Sequence, residues 1–324
     1  QGTTNASGVN TITTAEGTAN LSGVNTVTTA QGTTNMSGTN TVTTAQGTTN
    51  MSGVNTVTTA NGRVNASGIN TITTVASNAI ALVTGHANTV TTNQGKIWMS
   101  GKSSTVTNAS NADIYITGNT STVTNANGGI IYITGNTASV ATSQGTLNIS
   151  GYSNTVTTAN GTTNMSGVNT VTTAQGTVNA SGVNTITTAQ GTTNMSGTNT
   201  VPTAQGTTNM SGVNTVTTAS KVVNMSGVNT VTTAQADVVM SGTNTVTTAQ
   251  GNVHVSGTTT VTTSNGVINM TGVNTVTTAN DRIYITGHSN TITTVNGTAN
   301  ISGTNTITTT AGTANLSGVN TITN

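Results

Sequence analysis

The sequence predicts an all-β chain wound as a single-domain, two-sided parallel β-solenoid. Three observations predict it: a repeat of about 15 residues that runs through all 324 positions, a glycine that recurs once in every repeat, and apolar residues that alternate with polar ones inside each repeat. Residues 46–60, QGTTNMSGVNTVTTA, serve as the reference coil. Equivalents of its Gly53 recur 21 times, from Gly8 and Gly23 to Gly303 and Gly318, which sets the number of coils. Their spacing is 15 over most of the chain and widens to 16 or 17 between Gly68 and Gly167, and again to 16 between Gly287 and Gly303. The pattern leaves no linker, so one domain is expected over 1–324, with regular coils in 1–75 and 152–324 and longer, irregular ones in 76–151.

Each coil reads as two strands. In residues 55–59, NTVTT, the Val57 position is Val or Ile in all 21 coils and must point inward. In residues 48–52, TTNMS, the Met51 position is always apolar, all nine methionines of the chain fall there, and Thr49 is its inward neighbour. Gly53 makes one turn and the Ala60–Gln46–Gly47 type of junction makes the other, both places where glycine tolerates a positive φ. Coils stacked at about 4.8 Å bring like residues into columns. Asn55 is Asn in 17 of 21 coils on the inward phase, which predicts a buried ladder of amides that bond one another.

Composition excludes several classes. Lys and Arg total 5, and Asp and Glu total 4. That is too little charge to neutralise phosphates, so no nucleic-acid partner is expected. No apolar run is long enough for membrane insertion. There is no cysteine, so neither a disulfide nor a thiolate metal site exists. Glu16, Asp113, Asp237 and Asp281 are scattered, and His86, His254 and His288 lack metal-ligand spacing, so no catalytic residues, no metal and no cofactor are expected.

The outward residues of the second strand form a Thr-x-Thr face: Thr11, Thr13, Thr26, Thr28, Thr41, Thr43, Thr56, Thr58, Thr71 and Thr73 in the first regular region, then Thr170, Thr172, Thr185, Thr187, Thr215, Thr217, Thr230, Thr232, Thr245 and Thr247. The motif is intact in 19 of 21 coils, the exceptions lying at Ser139–Val140–Ala141 and at Pro202. The first-strand face drifts more. Its Asn50 position becomes Leu82, Trp98, Tyr115, Tyr132, Val239, His254 and Tyr284, and its Thr48 position becomes Arg63, Lys96, Asp113, Asp237 and Arg282. Two readings of the Thr face stand: a β-former that stacks well on itself, or a contact surface.

Here the chain resembles the Thr-x-Thr β-solenoid ice-binding proteins of the insect type, and Asn55-Thr56-Val57 is similar to the Asn-x-Val half-repeat of grass ice-binding solenoids. The resemblance covers the whole chain and implies a Thr face that orders water and docks onto ice. It departs from the insect type in length and in the absence of cysteine, and Pro202 interrupts the face.

Two further features stand out. N-x-S sequons recur at Asn5, Asn20, Asn35, Asn50, Asn164, Asn194, Asn209 and Asn224, among others, as glycan acceptors or as plain polar surface. At a rung spacing of about 4.8 Å only a subset has room for a glycan. Trp98, Tyr115 and Tyr132 form an outward aromatic stripe, either covered by the longer turns or open as a lateral-contact or sugar-binding patch. The sequence therefore predicts a non-catalytic extracellular protein. The first reading is a cell-surface or matrix fibre that associates with itself, end to end and laterally. Its motivation is that Gln1 and Asn324 nearly continue one another's phase without caps. The alternative is an ice-binding protein.

Overall fold

The computed structural model describes residues 2–235 and 237–323, and it is an all-β parallel solenoid of 21 strands, one to each coil. Gln1 and Asn324, on which the end-to-end expectation rests, lie outside the described residues. Close contacts divide the chain into two compact units, residues 1–168 and 169–324.

In the first unit the strands are β1 (Thr3–Ala15), β2 (Thr18–Ala30), β3 (Thr33–Ala45), β4 (Thr48–Ala60), β5 (Arg63–Val75), β6 (Ile80–Asn93), β7 (Lys96–Ser110), β8 (Asp113–Asn127), β9 (Ile130–Ser143) and β10 (Thr146–Ala159). The division falls inside β11 (Thr162–Ala174). The second unit continues with β12 (Thr177–Ala189), β13 (Thr192–Ala204), β14 (Thr207–Ala219), β15 (Val223–Ala234), β16 (Val238–Ala249), β17 (Val253–Ser264), β18 (Ile268–Ala279), β19 (Arg282–Val295), β20 (Thr298–Thr310) and β21 (Thr313–Ile322).

Within each unit the coils pair in parallel and like sits on like. In the first, Met36 pairs with Met51, Gly38 with Gly53 and Val42 with Val57. In the second, Met210 pairs with Met225, Gly212 with Gly227 and Val216 with Val231. The alternation read from the sequence sets the burial. In β4, Thr49, Met51, Asn55, Val57 and Ala60 are buried, whereas Ser52, Thr56 and Thr58 are exposed. Each fully buried Val or Met of these columns contributes about 2 kcal/mol. The core is thin, so stability accumulates coil by coil.

The buried Asn ladder forms as the sequence predicts. Asn40 Nδ2 donates to Asn55 Oδ1 at 2.7 Å and to the carbonyl of Ser52 in the next coil at 3.0 Å. Asn214 repeats this toward Asn229 and Ser226. One amide thus ties two coils through both a side chain and the backbone at the glycine corner.

Where the coils lengthen, an extra residue enters that corner. Gly68 pairs with Gly85, but Ile69 then pairs with Ala87, leaving His86 over. Lys102, Asn119, Asn136 and Tyr152 occupy the same place in the coils that follow. At the wider corners the backbone varies: Gly85 keeps a positive φ of +135°, against +108° at Gly53, while Gly118, Gly135 and Gly151 lie outside the positive-φ region. Glycine persists at these three positions because a Cβ on any of them would run into the corner-glycine carbonyl oxygen of the preceding coil. Close approach of backbones is therefore the general reason for the glycine column, and positive φ an added one where it occurs.

Pro202 acts locally. Between β12 and β13 the pairing skips from Thr185–Thr200 to Thr188–Thr203, losing the pair that Ile186 and Val201 would make. On the other side Val201 still pairs with Val216. A proline at 202 has no N–H to donate, which accounts for a break on one side only.

Candidate functional site

The Thr-x-Thr face is outward in both units. In the first, Thr11, Thr13, Thr26, Thr28, Thr41, Thr43, Thr56, Thr58, Thr71 and Thr73 are all exposed. In the second, Thr215, Thr217, Thr230, Thr232, Thr245 and Thr247 are exposed and the array continues through Thr260 and Thr275. Thr170, Thr172 and Thr187 are exposed too, but Thr185 is half-buried. In β6, β7 and β8 the equivalent pairs Thr89–Thr91, Thr105–Thr107 and Thr122–Thr124 are half-buried, whereas Thr155 and Thr157 in β10 and Thr291 and Thr293 in β19, also in longer coils, are exposed. The columns are in register: Thr41 with Thr56 and Thr56 with Thr71, then Thr215 with Thr230 and Thr230 with Thr245. Threonines on one column stand about 4.8 Å apart, and the two of a pair about 6.6 Å apart along the strand. Among the described residues no hydrogen bond joins these hydroxyls to another protein atom. Each keeps its donor and its lone pairs for solvent.

The first-strand face uses its polar groups differently. Asn20 donates to Asn5, Asn35 to Asn20, Asn50 to Asn35 and Asn65 to Asn50, at 2.6 to 2.8 Å. The same bonds join Asn164 to Asn148 in the first unit, and Asn194 to Asn179, Asn209 to Asn194 and Asn224 to Asn209 in the second. This outer ladder donates toward the preceding coil, whereas the buried one donates toward the next, so the two rows of amide dipoles oppose each other. The sequence pattern marked these asparagines as sequons. Their Nδ2, the atom a glycan would occupy, is the ladder donor in Asn20, Asn35, Asn50, Asn65, Asn164, Asn194, Asn209 and Asn224.

Trp98, Tyr115 and Tyr132 continue the outer column as a ring stack. Their centroids are 5.5 and 5.1 Å apart and the planes tilt by 7° and 6°. They are not covered by turns, being 39%, 36% and 41% exposed. Tyr115 stacks through both faces, and Trp98 and Tyr132 through one each. The stack ties three successive coils together through their rings.

A column the sequence reading passed over lies at the glycine corner. Val24, Val54 and Ile69 in the first unit, and Val183, Val213, Val228 and Val273 in the second, are each about half exposed. Position 54 alternates between Val and Thr in several coils, which hid it among β-formers. Charge is sparse on both faces. Lys96 and Asp113 approach to 3.8 Å while exposed, a pairing of little energetic weight. Among the described residues no three His, Asp or Glu side chains gather where they could hold a metal.

Comparison with protein-family models, with curated proteins and with solved structures gave no match.

Proposed function

We propose that the protein binds ice through its second-strand Thr face. The observation that carries this reading is the contrast in hydrogen bonding between the two faces: the outer Asn amides bond one another, whereas the Thr hydroxyls have no protein partner among the described residues. A rigid in-register array of identical hydroxyl and methyl groups holds water at repeating positions. The side chains are already fixed on strands, so little ordering entropy remains to be lost on contact with a periodic water lattice. Among the Thr-face positions named above there is no charged group to hold water in a competing arrangement. The test is growth of single ice crystals in dilute protein. Wild type is expected to facet the crystals. Thr215→Tyr with Thr230→Tyr, which raises two rings above the array in β14 and β15, is expected to abolish faceting with the far-ultraviolet circular dichroism unchanged. Crystals that grow in wild type as they do in buffer would end this reading.

A second reading, a self-assembling surface or matrix fibre, is favoured by the exposed corner column of Val54, Ile69, Val213 and Val228, which offers an apolar stripe for lateral contact with another copy. Concentrated protein that sediments as a monomer and shows no filaments by electron microscopy would rule it out. Both readings put the protein outside the cell.

A further inference from the structure

We propose that the first-strand face of the first unit is a binding groove for a single neutral polysaccharide chain laid along the solenoid axis. A groove of about 950 Å³ runs over this face from Asn5 to Leu82. It crosses six coils, or about 24 Å at the usual strand spacing. The groove is open on its solvent side and elongated along the axis, a shape that suits an extended chain.

The lining says what kind of chain fits. The exposed lining is more apolar than polar, with two polar rows running through it, Asn20, Asn35 and Asn50 on one and Ser22, Ser37 and Ser52 on the other, a mixture that suits the C–H faces and hydroxyl edges of a sugar chain. A side-chain amide has two N–H donors and two lone pairs. The outer ladder uses one of each on Asn20, Asn35 and Asn50, leaving one N–H and one lone pair per rung for a ligand. The Ser hydroxyl adds a second donor–acceptor group at each rung. This is the complement of a polymer bearing hydroxyls on every unit, and a coil rise of about 4.8 Å lies close to the length of one pyranose in an extended chain. No lining residue is charged, which selects a neutral chain over an acidic one. The groove also has an end. Past Asn65 the column grows to Leu82 and then to the stacked Trp98, Tyr115 and Tyr132, which fill the space above the strands.

This site is separate from the Thr face, so it stands or falls independently of ice binding. The experiment is calorimetric titration of the full chain with cello-, laminari- and chito-oligosaccharides of two to six units. At least one series is expected to bind, tightening with each added unit up to about five, when the groove is full. Asn35→Leu with Asn50→Leu removes two rungs of amides. The chain itself carries Leu82 in this column, so the variant should fold, which its circular dichroism checks. It is expected to weaken binding at least tenfold, while Trp98→Ala is expected to change it less than twofold. The proposal is overturned if no series binds, if affinity does not depend on chain length, if the folded double Leu variant binds like wild type, or if Trp98→Ala is the variant that abolishes binding.

Discussion

The buried Asn ladder breaks at Thr259, and mending it should stabilise the second unit. Asn244 donates to the carbonyls of Ser256 and Gly242 but has no amide oxygen ahead of it, because Thr259 stands there. Behind the break, Asn274 Oδ1 is buried and unbonded, and so is Thr259 Oγ1. Thr259→Asn supplies both missing partners. The geometry is set by neighbours such as Asn214 and Asn229, whose ladder bond is 2.7 Å. Two net hydrogen bonds give about 2 kcal/mol, and relief of two buried unsatisfied atoms adds about 1 kcal/mol or more. Against this stands a loss of β-propensity and rotamer freedom of about 1 kcal/mol. The balance is a gain of about 2 kcal/mol. Repeat arrays open locally, so native-state hydrogen exchange at amides of β16, β17 and β18 reads the effect most directly. A gain of that size slows exchange there about thirtyfold, at 1.4 kcal/mol per tenfold. Unchanged or faster exchange would refute the view that the amide column holds the coils together.

Three other substitutions probe the same physics. Thr49 Oγ1 is buried with no partner, and its neighbour one coil on is Val64, so Thr49→Val should raise stability by about 1 kcal/mol in urea unfolding. Pro202→Thr restores an N–H between β12 and β13 and should gain about 1 kcal/mol, with slower exchange confined to that pair. Gly8→Ala and Gly53→Ala separate the two reasons for the glycine column. Both have positive φ, but a Cβ on Gly8 meets nothing and one on Gly53 meets the Gly38 carbonyl, so Gly8→Ala should cost about 1 to 2 kcal/mol and Gly53→Ala at least 3 kcal/mol by thermal unfolding.

What could be read from the sequence was whatever repeats with a phase. The 15-residue period gave the coil, and the strict Val or Ile at position 57 gave the inward side. The near-constant Asn at 55 could be read as a ladder because a buried amide must find a partner. The outer ladder could not be read in the same way. Asn50 sits on the polar side, where an amide is content with water, so nothing in its spacing distinguishes a bonded column from a loose one or from sequons. Ring orientation at Trp98, Tyr115 and Tyr132 was hidden too, since stacking depends on side-chain rotation and not on register. The corner insertions at His86 and Lys102 showed in the sequence only as longer spacings. Their place in the coil shows only in the register of neighbouring strands, and the half-buried Thr pairs of those coils only in the folded chain.

The most direct test of the Thr face as an ice-binding surface is partition of the protein into slowly growing ice. A mixture of wild type and the folded Thr215→Tyr, Thr230→Tyr variant, carrying different fluorophores, is frozen from a cold surface and the two colours are read in ice and in residual liquid. Ice enriched in wild type, with the variant left in the liquid, is the predicted result. Equal exclusion of both from the ice would contradict the account.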